Sequence, residues 1–274
     1  MQLQMLRPRP ELAPYVDKFW LFESAIGVPT TDNRVIAPNG RAKIILPFQN
    51  ALSTIQHGIH QDYPEQEPLL IGIWEEPVVL SSPERPTGTI GMELNPRGLY
   101  RFLNISLHEL SNQILSFETI FGAKGRFIHQ KLMDLEQPEQ KIEALQLFLI
   151  ERLQETDRQN HIIDFSVQHI LSTHGLLEIK ALEKKTGYSK RYLDLLFKEH
   201  IGISPKTFAS ITRFQQFYQR WANAAHTDFF REVLYDLYYD QSHFIKEFKR
   251  YTGYAPAQYA RAKNDFGKMF YKNK

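Results

Sequence analysis

Residues 187–209, GYSKRYLDLLFKEHIGISPKTFA, and residues 238–260, YYDQSHFIKEFKRYTGYAPAQYA, are two versions of one pattern. Phe197 falls on Phe248, Lys198 on Lys249, Gly202 on Gly253 and Pro205 on Pro256, each displaced by 51 positions. Leu193 and Phe244 keep an apolar residue four before each Phe. Each unit predicts a helix with one buried stripe: Leu193, Leu196 and Phe197 in the first, Phe244, Phe248 and Tyr251 in the second. Gly202 and Gly253 suit left-handed helix stops, and Ser204-Pro205 reads as an N-cap with Pro at the first helical position. Upstream, residues 177–187 predict a short helix ending at Gly187, with Ser189 capping the next helix. Residues 228–240 stand in the matching place before the second unit. A short helix, a tight turn and a second helix make a helix-turn-helix.

A helix from about Pro205 to Ala224 would join the units. Some 20 helical residues span about 30 Å, close to the ~34 Å between successive major grooves on one side of B-DNA. The charges agree with a polyanionic partner. The 274-residue chain carries a formal +2, but residues 1–159 hold 15 basic and 20 acidic side chains, and residues 160–274 hold 18 and 11. The halves are thus −5 and +7.

Residues 1–100 read as short strands: 16–24, 33–38, 42–48, 52–59, 69–75 and 87–94, punctuated by Pro38-Asn39-Gly40 and Pro96-Arg97-Gly98. Residues 99–116 and 124–155 read as helical, and the polar stretch 154–160 as a linker. The expected class is α+β in two domains. Residues 1–155 form a β-barrel or jelly-roll-like domain with trailing helices. Residues 161–263 form an all-α domain with two helix-turn-helix units joined by a long helix, and 264–274 are a tail. Ile142, Leu145, Leu149 and Leu153 follow a 3/4 repeat, which suits a dimer seam or packing onto the barrel.

The chain has no cysteine, which excludes disulfides, zinc fingers, Cys nucleophiles and thiolate redox centres. No apolar run approaches the ~18 residues of a membrane span. MQLQMLRPRP lacks an apolar signal core, so a cytoplasmic location is expected.

Tyr239-Asp240-Gln241-Ser242-His243-Phe244, followed by Phe248-Lys249, Gly253 and Pro256, resembles the signature of the AraC/XylS transcription regulators. The resemblance covers about residues 160–263. More loosely, the N-terminal half resembles the β-rich effector domain that often precedes this module, the segment 91–112 being similar to one form of it. The resemblance implies a transcription factor whose N-terminal domain senses a signal. This sequence departs from the family pattern at Glu183 and Val233, where an Ala is usual, at Leu237, where the turn glycine is usual, and at Leu195, where a base-reading Arg is frequent. DNA-repair methyl acceptors carrying a similar helical module need a thiol that this chain lacks.

The helix faces opposite the core give the candidate DNA contacts. These are Lys190, Arg191, Asp194, Leu195 and Lys198 in the first unit, and Gln241, Ser242, Ile245, Lys246, Lys249 and Arg250 in the second. Arg191 suits guanine, Gln241 adenine, and Leu195 or Ile245 a thymine methyl, while Asp194 suits a cytosine amino group or holds Arg191. Lys198, Lys249 and Arg250 suit phosphates. An ordinary solvated helix face is the alternative. Tyr192 and His243 flank the core stripes, and Arg213 suits either phosphate or a structural ion pair. The aromatic residues Phe229, Phe230, Tyr235, Tyr238 and Tyr239 fit core packing better than base stacking.

Trp20, Phe22, Ile44, Leu46, Trp74 and Met92 are candidates for lining an effector pocket, and equally the residues any β core buries. His57 and His60, with Glu93, are a weak metal constellation, and no metal or other cofactor is expected. Ser106-Leu107-His108-Glu109 reads as a helix start rather than a catalytic group. The expected partners are double-stranded DNA, a small-molecule effector, RNA polymerase and a second copy of the chain. The leading reading is a ligand-responsive DNA-binding regulator and not an enzyme. A metal-dependent barrel enzyme with an accessory helical domain and a ligand-independent DNA-architectural protein are the alternatives.

Overall fold

The computed structural model describes residues 1–30, 33–156, 158–223, 237–262 and 264–270. Strands β1 (Gln2–Leu6) and β2 (Val16–Ser24) lead into β3 (Val35–Ile36) and β4 (Lys43–Gln49). A hairpin of β5 (Leu52–Gln56) and β6 (Ile59–Tyr63) follows, then β7 (Leu69–Ile71), β8 (Val78–Ser81) and β9 (Thr87–Leu94). After two 3-10 turns comes β10 (Ile114–Ser116). They form a six-stranded sheet, in the order β1-β2-β9-β4-β7-β10, and a four-stranded one, β3-β8-β5-β6.

The expected barrel is therefore an open sandwich. No ladder joins the two sheets among the described residues. The strands at two of the margins, β3 and β10, have two and three residues and offer little edge to pair with. The expected helix over 99–116 also gives way, to two 3-10 turns at Leu99–Arg101 and Leu107–Leu110 and to β10. Its apolar residues recur every three or four positions, and Leu99, Tyr100, Phe102, Leu103, Leu107 and Leu110 are all buried, but by irregular chain. The strand expected over 52–59 ends at Gln56, and His57-Gly58 form its turn with φ of 49° and 76°.

The helices are α1 (Phe117–Phe121), α2 (Ala123–Asp134), α3 (Pro138–Glu155), α4 (His161–Ser172), α5 (Ile179–Thr186) and α6 (Lys190–His200). After them come α7 (Pro205–Asn223), α8 (Gln241–Thr252), α9 (Pro256–Arg261) and α10 (Asp265–Met269). Side-chain oxygens set several starts: Asn160 caps α4, Ser189 caps α6, Ser204 caps α7 and Asp240 caps α8. Ile142, Leu145 and Leu149 of α3 are buried inside this chain, so they do not form a dimer seam.

The period-two alternation of the larger sheet sorts its residues between two apolar clusters. Phe19, Leu21, Ile44, Leu46, Ile90 and Met92 face the helices, in a cluster that runs on through Leu145 and Ile163 to Phe197, Phe214 and Phe248. Trp20, Phe22 and Ile45 face the smaller sheet instead. Each fully buried large apolar side chain contributes about 1.5–3 kcal/mol.

Polar contacts pin the sandwich to the helical half. Ser111 Oγ donates to the Gly202 carbonyl at 2.6 Å, and Gln215 Nε2 donates to the Pro38 carbonyl at 2.6 Å. Arg158 donates to the carbonyls of Leu103 and Ile105, each at 2.9 Å, and pairs with Glu199 at 3.3 Å. The Tyr100 hydroxyl donates to Asp164 at 3.2 Å, and burial together with that carboxylate pushes its pKa up to about 12. His200 lies edge-on to Tyr100, and burial lowers its pKa.

Candidate nucleic-acid interface and inter-sheet cavity

The first unit is α5, a left-handed Gly187 (φ 76°) and α6. Glu183, the departure from the family's small residue, has a visible use: its carboxylate accepts from the Lys190 backbone N–H at 2.6 Å. A negative charge at the α6 N-terminus also complements the helix dipole. Leu193, Leu196 and Phe197 turn inward. Lys190, Arg191, Leu195 and Lys198 are exposed and Asp194 is half-buried. Leu195 is 59% exposed. Tyr192 stacks on Tyr188 with ring centroids 4.9 Å apart, rather than packing into the core stripe.

In the second unit Phe244, Phe248 and Tyr251 are buried. Gln241, Ser242, Ile245, Lys246, Lys249 and Arg250 are exposed on α8. Among the described residues, the side chains of Lys190, Arg191, Lys198, Lys246 and Lys249 form no ion pair, so both faces keep free positive charge. Arg250 differs, pairing with Glu75 of the sandwich at 3.3 Å. His243 sits beside Glu247 at 3.5 Å and edge-on to Tyr238.

Of the two readings of Arg213, the structure gives the ion pair. Arg213 meets Glu247 at 2.5 Å, and Ser210 Oγ donates to the same carboxylate oxygen. This locks α8 to α7, which at 19 residues is about 28 Å long. Tyr238 is buried and Tyr239 is 94% exposed. Phe229, Phe230, Val233, Tyr235 and most of the expected helix 228–240 lie outside the described residues. Leu237 is helical and buried, so the second turn begins after it.

Between the sheets lies an apolar cavity of about 140 Å³. Trp20, Phe22 and Trp74 line it, but Ile44, Leu46 and Met92 do not, because alternation turns them to the helix side of the same strands. Residues not singled out from sequence complete the wall, notably Ile45, Tyr63, Leu80, Phe266 and Phe270. The Trp74 indole N–H is buried and has no hydrogen-bond partner among the described residues.

One end of the cavity is charged. Glu93 lies 3.6 Å from Arg41, 3.8 Å from Lys18 and 3.9 Å from Lys43, and accepts from Asn39 Nδ2 at 2.6 Å. Burial alone would raise the Glu93 carboxyl, but Lys43, Arg41, Lys18 and Asn39 together hold it below its ordinary value. Burial lowers Lys43, against the pull of Glu93. Lysine, arginine and carboxylate satisfy one another here, and Glu93 is not grouped with His57 or His60. His57 pairs with Glu76 at 2.5 Å and His60 with Asp62 at 3.4 Å, and the described residues assemble no group of three metal-ligating side chains. His108 Nδ1 lies 3.2 Å from the Gly202 carbonyl oxygen, a structural contact.

Residues 4–116 match a family described as a domain of unknown function, DUF6597, and residues 182–262 match the helix-turn-helix domain. Over 101 residues the chain is 32% identical to the F1 operon positive regulatory protein of Yersinia pestis, covering 36% of this chain and 32% of that protein. The match thus spans about a third of that relative's length. ToxT from Vibrio cholerae O395, bound to a naphthyl butenoic acid, superposes with a TM-score of 0.50 at 10% identity, covering 87% of this chain and 97% of that one. A second ToxT structure from Vibrio cholerae, the P21 form, gives 0.49 at 9% identity over 87% and 97%. At such identities the likeness is one of fold alone. The helix-turn-helix domain at 182–262 and the duplicated motif around Phe197 and Phe248 are similar to those of the AraC/XylS regulators.

Proposed function

We propose that this protein is a sequence-specific transcription regulator that sets α6 and α8 in successive major grooves and answers to a small molecule held between its sheets. The observation that carries the reading is the pair of exposed, unpaired cationic helix faces, repeated 51 residues apart and joined by α7. Arg191 reads guanine, Gln241 reads adenine, and the exposed Leu195 and Ile245 cover thymine methyls. Asp194, Ser242 and Lys246 complete the faces, while Lys190, Lys198, Lys249 and Arg250 hold phosphates.

The cavity supports the sensing half of the reading. It is apolar, it has a cationic end, and the unpaired Trp74 N–H is a donor awaiting an acceptor. An apolar acid of the kind that the Vibrio cholerae protein binds has matching chemistry. Residues 1–155 then sense and 161–263 read DNA. The function so read is regulation in the cytoplasm rather than catalysis, with RNA polymerase and a second copy of the chain as further partners.

Binding of the full chain to duplexes recovered by in vitro selection tests the proposal. Replacing Arg191 with Ala is expected to relax discrimination at one base pair by about 1–3 kcal/mol. Replacing Lys198 with Ala is expected to weaken all sequences alike and to flatten the salt dependence by about one unit of slope. If neither substitution changed binding, the assignment of these faces would be wrong.

A further inference from the structure

Beyond the second unit the chain turns at Asn264 and enters the sandwich. Phe266, in α10, is 3% exposed and belongs to the inter-sheet cluster. Its ring stands edge-on to Phe22, with centroids 5.6 Å apart, and Phe270 stands edge-on to Trp20 at 5.7 Å. Lys18 Nζ donates to the Phe270 carbonyl oxygen at 3.3 Å. The segment therefore puts two apolar rings against the cavity wall and one oxygen on a lysine at its charged end. That is the outline of an amphipathic ligand, supplied by the chain itself.

The remaining space, about 140 Å³, compares with the roughly 150 Å³ of an apolar cavity that holds one benzene ring. A longer molecule and α10 do not fit together. We propose that α10 is a displaceable stopper, and that an elongated apolar molecule with an anionic head takes its place, with its anion on Lys18 where the Phe270 carbonyl now sits. This inference rests on reading the cavity as the ligand site. An anionic acceptor adds a charge–charge attraction to the lysine hydrogen bond that a neutral carbonyl lacks, which favours the exchange. The stopper's root is tied to the DNA-reading half. Asn264 Nδ2 donates to the Tyr218 hydroxyl at 3.2 Å and to the Val35 carbonyl at 3.4 Å, and also reaches the Tyr259 hydroxyl. Withdrawal of α10 thus loosens a junction between α7, α9 and the sandwich.

The test uses cis-parinaric acid, a fluorescent unsaturated fatty acid, with the full chain and with the F266A/F270A double variant. A stopper reduces apparent affinity by the fraction of time it is out, so its removal is expected to tighten binding about tenfold or more. Hydrogen exchange on the unaltered protein gives a second readout that does not depend on the variant folding. Saturating probe is expected to slow exchange in β2 and to accelerate it at residues 264–270, whose Lys268 and Phe270 amides are now bonded to the Asn264 and Gly267 carbonyls. Binding that protects β2 with equal affinity in both proteins, and without faster exchange at 264–270, would overturn the stopper and leave the ligand site standing. Binding to neither protein would overturn both. Binding to the double variant alone would support the stopper.

Discussion

The two helix-turn-helix units repeat in sequence, yet the sandwich holds them in different ways. Around the first unit the contact is close and buried. Gly202 (φ 102°) lies so near the turn at Leu107–Leu110 that a Cβ there would come within 2.8 Å of Ser111 Oγ and 2.9 Å of the Leu107 carbonyl oxygen. Its own carbonyl accepts from Ser111, while Arg158 and Tyr100 close the rest of the seam. At the matching position of the second unit, Gly253 (φ 78°) has, among the described residues, only Pro77 Cγ nearby, at 3.9 Å. The further ties there are the exposed Arg250–Glu75 pair and the segment that ends in α10. One recognition helix is fixed to the sandwich and the other is tethered to it. On the proposed sensing function, a signal from the cavity would have its easiest outlet through the tethered one.

The largest expected effect is at the grip common to both units, the loop from Pro38 to Arg41 that holds α7. Its Asn39 and Arg41 are organised by Glu93. Glu93→Gln leaves the surrounding cations without their buried counter-charge, and thermal or denaturant unfolding is expected to show a loss of about 3–5 kcal/mol. Because the Glu93 carboxyl is held below its ordinary 4.5, its contribution is present above that pH and fades as pH falls beneath it. Wild type and E93Q are thus expected to converge in acid.

The matched glycine pair comes next. Gly253→Ala meets only the left-handed penalty of about 1–2 kcal/mol, whereas Gly202→Ala adds an overpacking cost of about 1–3 kcal/mol. Equal losses in unfolding experiments would erase the contrast between the seams. His200 sharpens it through pH. Burial lowers its pKa from 6.5, so the first seam is at full strength above that value and weakens as pH falls through it. His200→Gln is expected to flatten the stability profile between about pH 5 and 7. The smallest effect belongs to the exposed tether. Glu75→Gln is expected to change stability by only about 0.2–1 kcal/mol. It releases Arg250, so DNA affinity at low salt is expected to rise and the salt slope to steepen by about one unit.

The helical half was legible because its signals are local. Caps such as Ser189, stops such as Gly253 and the stripe through Phe197 lie within one or two turns of the groups they organise. The cavity was only partly legible. The run Lys43-Ile44-Ile45-Leu46 is buried or half-buried on both faces, so hydrophobicity does not say that Ile45 meets the second sheet while Ile44 and Leu46 meet the helices. Leu99 to Leu110 mimic a helical period while packing as irregular chain. Phe266 and Phe270 carry no sequence signal of their role, since their partners Trp20 and Phe22 lie at the other end of the chain. Glu183 was visible as a departure, and only the Lys190 amide beside it explains why a carboxylate suits that position.

Spacing tests the central claim most directly. The full chain should be used to select its preferred duplex from a random pool, and then be measured on that site with roughly 5 bp, half a helical turn, inserted at its centre. The predicted result is two short half-sites about 10 bp apart, with affinity lost on the half-turn insertion and not regained with about 10 bp inserted, because α7 fixes the span at one helical turn. A single uninterrupted site indifferent to the insertion, or no duplex retained even at low salt, would contradict two recognition helices acting from one chain.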